Sequence, residues 1–179
     1  MRIAGFKARR PIASGVVLLI LSFCLSIVPA YAGPVVVPKG FKAFCAANPS
    51  ECKGGGAASV TYDETLMAQL KTVNAKVNAS IKPVKAEAVD VWSLNVSKGD
   101  CEDYVLAKRH ALIKAGVPAS ALSIVFALAG GAGHAVLGVH TDRGIYVLDN
   151  LNKSIRPIGS TGYKIISMSG PNPKVWVRA

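Results

Sequence analysis

Gly99-Asp100-Cys101-Glu102-Asp103-Tyr104-Val105-Leu106-Ala107-Lys108-Arg109-His110-Ala111-Leu112-Ile113-Lys114-Ala115-Gly116 reads as a helix with a cysteine on its first turn. Asp100 is a good N-cap. Tyr104, Val105, Ala107, Leu112, Ile113 and Ala115 supply the apolar side, and Gly116 and Pro118 end the helix. Beyond Pro118 the texture changes to strands: Leu122–Leu128, His134–His140, Ile145–Asp149, Lys164–Met168 and Val175–Val177, with turns at Gly130–Gly133 and Thr141–Gly144. Upstream, Thr61-Tyr62-Asp63-Glu64 has the capping-box pattern. Leu66, Leu70, Val73, Val77 and Ile81 follow at three-and-four spacing, so a helix is expected over Tyr62–Ser80. Helices first and an antiparallel sheet afterwards make the class α+β.

The chain has 179 residues, 21 basic and 10 acidic. Its first 32 read as an export signal: Arg2, Lys7, Arg9 and Arg10, an apolar run over Ile12–Val28, then Ala30-Tyr31-Ala32 as the cleavage pattern. The segment Gly33–Val60, rich in Pro, Gly and Val, is expected to be an extended arm, and 61–179 to be the domain proper. The lysines beyond the leader are scattered, without a basic run or interleaved aromatics, which argues against nucleic acid as a partner. The membrane is met only during export.

Cys24 leaves with the leader, so Cys45, Cys52 and Cys101 remain. In an oxidising compartment Cys45 and Cys52, close in sequence, are the natural disulfide. Cys101 is then a lone thiol, either inert and buried or chemically needed. A helix start offers free N–H groups and a positive dipole end, which are expected to lower its pKa and to receive an oxyanion. Of three candidate bases, His110 is about half a turn out of phase with Cys101 along the helix. His140 lies beside the hairpin turn and is expected to be exposed. His134 opens its strand just after a glycine-rich turn, where another element can approach. A turn centred on Asp142 and Arg143 sets Asp149 opposite Val136, and therefore diagonal to His134 on one sheet face. A carboxylate there can orient the imidazole, giving a Cys101–His134–Asp149 triad.

Gly99-Asp100-Cys101-Glu102-Asp103-Tyr104, Ala107-Lys108-Arg109, Gly133-His134-Ala135-Val136-Leu137 and Val147-Leu148-Asp149-Asn150 together resemble the bacterial transglutaminase-like cysteine proteinases, the family that contains the LapG-type periplasmic protease. The similarity runs from about Phe41 to Tyr163. It implies a papain-like, transglutaminase-like core with the nucleophile helix packed on the sheet, and the same triad. It further implies a periplasmic or secreted peptidase acting on a protein substrate such as a surface adhesin, under control of an inner-membrane receptor. No cofactor is needed for such chemistry, but the resemblance implies calcium near the nucleophile, at Asp100, Glu102 and Asp103. The stretch Ala86–Trp92 is shorter than the family loop that lends further ligands. The same triad also serves transglutamination or deamidation, and a periplasmic binding domain with a silent triad is the non-enzymatic alternative.

Overall fold

The computed structural model describes residues 35, 37–85 and 90–178. The export signal and its cleavage point lie outside them. The elements are α1 (Lys39–Ala47), α2 (Glu64–Ser80), β1 (Lys82–Pro83), β2 (Lys98–Gly99), α3 (Cys101–Lys114), β3 (Leu122–Ala129), β4 (Ala132–Thr141), β5 (Gly144–Leu148), β6 (Arg156–Pro157), β7 (Lys164–Ser169) and β8 (Trp176–Arg178). The last six make one antiparallel sheet in the order β6-β5-β4-β3-β7-β8. The α+β architecture read from the sequence, with the Cys101 helix packed on an antiparallel sheet, is the one observed.

Alternation along the central strands gives the sheet two apolar faces. Ala135, Leu137 and Val139 of β4 join Ile124, Leu148, Leu70, Val105 and Leu112 in the main core, with Phe41, Trp92 and Trp176. Val125, Val136 and Val147 form a smaller cluster with Ile158, Tyr163 and Ile165. Helix α3 rests on the first face, and α2 packs on α3. The parallel pair β1–β2, in register Lys82↔Lys98 and Pro83↔Gly99, ties the exit of α2 to the entry of α3. The Tyr104 hydroxyl reinforces that tie by donating to the Ile81 carbonyl at 2.6 Å.

The expected extended arm contains a helix instead. Phe41, Phe44 and Cys45 lie on one stripe of α1 and are buried in the main core, so this segment belongs to the same core as 61–178. Its N-terminus is fastened by Asp90, which accepts from the Gly40 amide at 2.9 Å and from the Trp92 indole at 2.6 Å. Gly40 is needed there, because a Cβ would lie 2.3 Å from the Asp90 carbonyl oxygen. The Cys45–Cys52 disulfide is present, with Cα atoms 5.5 Å apart. Arg109 of α3 holds the same loop by donating to the Glu51 and Lys53 carbonyls. Helix α2 starts two residues later than expected, since Asp63 is the cap and accepts from the Leu66 amide at 2.7 Å. No helix among the described residues is long and apolar enough to cross a membrane.

Leu112 is fully buried between α3 and the sheet. Leu112→Ala should lower the unfolding free energy by about 2–5 kcal/mol in urea denaturation, the range for a leucine cavity that collapses only in part.

Candidate active site

The first turn of α3 is fixed by a reciprocal capping box between Asp100 and Asp103. Asp103 accepts from the Ser93 amide at 2.8 Å and folds back to accept from the Asp100 amide at 3.3 Å. Residue 99 must be glycine for this, because a Cβ there would stand 2.4 Å from an Asp103 carboxylate oxygen. Cys101 follows directly, half-buried, and is the free cysteine among the described residues. Its thiol donates to Glu102 Oε2 at 3.0 Å.

The expected low thiol pKa is not found: the Cys101 thiol is pushed up to about 12. Burial is the largest cause, followed by the bond to the Glu102 carboxylate and its charge; the amide of Ala135, hydrogen-bonded to the sulfur, pulls the other way. A helix terminus worth a fraction of a charge is outweighed by desolvation and a carboxylate one residue away. Glu102 responds in kind, its carboxyl pushed up to about 7 by burial and by neighbouring Asp100.

The β4–β5 register is the one expected, with Leu137 opposite Leu148 across the Asp142–Arg143 turn. His134 and Asp149 are therefore diagonal neighbours, and His134 Nε2 lies 2.9 Å from Asp149 Oδ1. With the carboxylate ionised, the ring nitrogen donates. Both residues are buried. Asp149 receives two further bonds, from the Leu151 amide at 2.9 Å and from the Tyr163 hydroxyl at 2.6 Å. Burial alone would raise its pKa, but the bonds from His134, Tyr163 and Leu151 more than offset that and hold it below the usual carboxylate value. Tyr163 also sets its ring edge-on to the imidazole, with centroids 5.6 Å apart. No local pattern in the sequence marks Tyr163 as part of the site; it reaches Asp149 across the 150–163 connection, which carries no periodicity.

Asp149 follows the last residue of β5, so β4 from Ala132 to Val136 has no β5 partner. Helix α3 packs on β4, and the Ala135 backbone adjoins Cys101 Sγ on this stretch. Cys101 packs against the main core, whereas Tyr163 belongs to the cluster on the opposite face. Cys101 and His134 thus lie on either side of the same stretch of β4. His134 Nδ1 is the imidazole nitrogen left over from the Asp149 bond.

The other histidines are elsewhere. His110 pairs with Glu51 at 2.9 Å. His140, expected to be exposed, is half-buried: its Nε2 lies 2.7 Å from the Ser123 hydroxyl, and burial lowers its pKa. Asp100, Glu102 and Asp103 adjoin one another, but Asp103 is committed to two amides and Glu102 to the thiol. Among the described residues no three His, Cys, Asp or Glu side chains form a ready-made ion site. Asp100 Oδ1 is buried without a hydrogen-bond partner among them.

The family model of the bacterial transglutaminase-like cysteine proteinases matches residues 31–179. The chain belongs to that family. It is accordingly a cysteine peptidase. Among solved structures it is similar to calcium-bound Legionella pneumophila LapG, with a TM-score of 0.55 and 23% identity over 80% of this chain and 84% of that one. The EGTA-treated form of the same protein gives 0.53 and 24% over 78% and 76%. At such identity these likenesses speak for the fold. No curated protein matches the chain.

Because Asp149 is depressed in the folded protein, its stabilising contribution is present above its unfolded value and is lost as pH falls through the folded one. Tyr163→Phe removes one donor. It should lower the unfolding free energy at pH 7 by about 1–2 kcal/mol. The difference from wild type should shrink as pH falls below the ordinary carboxylate range, when urea curves are compared at neutral and acid pH.

Proposed function

We propose that this peptidase is exported and cleaves a protein substrate with Cys101 as nucleophile, His134 as general base and acid, and Asp149 as the group that orients the imidazole. The reading rests on one observation above all: Cys101 Sγ lies at the Ala135 amide, the residue next to a buried His134 whose other ring nitrogen is engaged by Asp149. A nucleophile, a base and its orienter in that order are what acyl transfer needs.

In the chemistry, the thiol turns from Glu102 toward His134 Nδ1 and gives up its proton there. The thiolate attacks the peptide carbonyl, and amides of the first turn of α3 steady the oxyanion. The C–N bond breaks as His134 returns the proton to the leaving amine, leaving a thioester on Cys101. Water, deprotonated by His134, then releases the acid and restores the thiol. Asp149 keeps the imidazole in one tautomer throughout.

Calcium fits the acidic first turn in part. Asp100, with its orphaned buried oxygen, and Glu102, with a carboxyl that shares its surroundings poorly, would supply hard oxygen donors. An ion there would draw Glu102 away from the thiol and neutralise charge that raises its pKa. Calorimetric titration of the apo protein with calcium should then give binding that Asp100→Asn weakens; no heat with wild type would remove the ion from the account.

The functional test is cleavage of an exported protein or peptide library read by mass spectrometry. Cys101→Ala should abolish cutting, and His134→Ala should slow it roughly 10²–10⁴-fold, while both retain the fold by circular dichroism. Cross-linked or deamidated products in place of cut peptides would overturn the hydrolytic reading. A Cys101→Ala variant that still cuts would overturn the triad.

A further inference from the structure

Asp149 is the first residue after β5, and the turn that begins with it carries the carboxylate paired with His134. Two asparagines of α2 hold that turn from the helical layer. Asn78 Nδ2 donates to the Asp149 carbonyl at 2.8 Å. Asn74, one turn earlier on the same helix face and fully buried, sets its Nδ2 3.4 Å from the Asn152 carbonyl and 3.3 Å from that of Lys153. Carbonyls only accept, so each asparagine presents its NH2 side to them.

That orientation carries a penalty. Oδ1 of Asn74 and Oδ1 of Asn78 are buried without a hydrogen-bond partner among the described residues, and a buried acceptor left so is destabilising. An apolar side chain at either position would pack this face of α2 without it, so stability alone does not account for the pair. What they touch does. The Leu151 amide, the Tyr163 hydroxyl and His134 act on the Asp149 side chain. The bond from Asn78 acts on the backbone that bears it, where the β4–β5 ladder has just stopped. The same end of α2 is fastened to the nucleophile's helix. Three residues beyond Asn78, the Ile81 carbonyl accepts from Tyr104 of α3, and Lys82 and Pro83 pair with Lys98 and Gly99 just ahead of Cys101. The last turn of α2 is therefore a strut between Asp149 and the entry of α3.

We infer that Asn78 is a positioning residue for the acyl-transfer site: its bond to the Asp149 carbonyl fixes the backbone from which the carboxylate reaches His134 Nε2, and Asn74 holds the turn behind it. The inference rests on the triad proposed above. Loss of the Asn78 donor frees this turn to shift. A shift of Asp149 lengthens its 2.9 Å bond to His134 and releases the imidazole from a single tautomer. Misplacement of that kind slows acyl transfer without removing any reacting group.

The experiment is NMR of the His134 ring at neutral pH, reading its Nε2 proton and the ring-nitrogen shifts that report the tautomer. Wild type is compared with Asp149→Ala, Asn78→Ala, Asn78→Leu and Leu70→Ala. Leu70, fully buried about two turns earlier on α2, controls for general weakening of that helix. Wild type should show one tautomer with a hydrogen-bonded Nε2 proton that Asp149→Ala abolishes. Both Asn78 variants should lose that proton to solvent exchange or mix the tautomers, whereas Leu70→Ala keeps the wild-type signals. Against the peptide library, the Asn78 variants should cut the same bonds roughly tenfold or more slowly. Wild-type ring signals in the Asn78 variants would overturn the inference, and so would their equal loss in Leu70→Ala. If Asn78→Ala does not fold, Asn78→Leu, which fills the space and buries no orphaned oxygen, carries the comparison. If neither folds, Asn78 serves the fold and the inference is overturned. A wild-type ring signal indifferent to Asp149→Ala would instead sink the triad, which separates the two failures.

Discussion

Strand β4 begins at Ala132, while its neighbour β5 stops at Leu148, opposite Leu137, so the first residues of β4 have an edge that β5 does not cover. Open edges expose unpaired amides and carbonyls and are ordinarily shielded. Here the Ala135 backbone, on the stretch that β5 leaves uncovered, adjoins the sulfur of Cys101. Had β5 run one residue further, Asp149 would be a paired strand residue opposite Val136. The early end of one strand therefore leaves Cys101, His134 and Asp149 grouped about one stretch of β4 while they belong to different layers of the core.

Burial then assigns each group its resting state. Asp149 and Cys101 are both withdrawn from water, which by itself raises both pKa values. Three hydrogen-bond donors reverse the effect on Asp149, whereas the one strong partner of Cys101 is an acceptor that adds to it. The outcome is an ionised Asp149 and a protonated Cys101. On the proposed mechanism, reactivity depends on moving Glu102 rather than on the helix terminus alone. The same polar groups weaken the core as a source of stability, since each buried donor or charge is desolvated on folding. Leu112, Leu70 and the paired face of β3 and β4 carry that load instead.

Much of this is legible in the chain, and for identifiable reasons. The spacing about Asp142–Arg143 decides which residues face each other in a two-residue hairpin, so the His134–Asp149 diagonal follows from residue numbers alone. Of the three cysteines beyond residue 32, Cys45 and Cys52 pair, which singles out Cys101. Helix α1 is hidden because Pro38 and Gly40 mask a short apolar stripe whose helicity comes from contacts with Asp90 and Trp92, some fifty residues away. Tyr163 carries no sequence signal for the site, because its meeting with Asp149 is purely tertiary. The thiol's pKa departs from expectation for a related reason: a dipole argument sees the helix end but not the orientation of the Glu102 side chain.

The central claim is that the Cys101 thiol, bonded to Glu102 at rest, gives its proton to His134 when it reacts. Its most direct measurement is the rate of Cys101 alkylation by iodoacetamide in the wild type and in His134→Ala. Loss of the imidazole should slow the reaction by roughly 10²-fold or more. Equal rates in the two proteins would mean that the two side chains do not communicate, and would contradict the account.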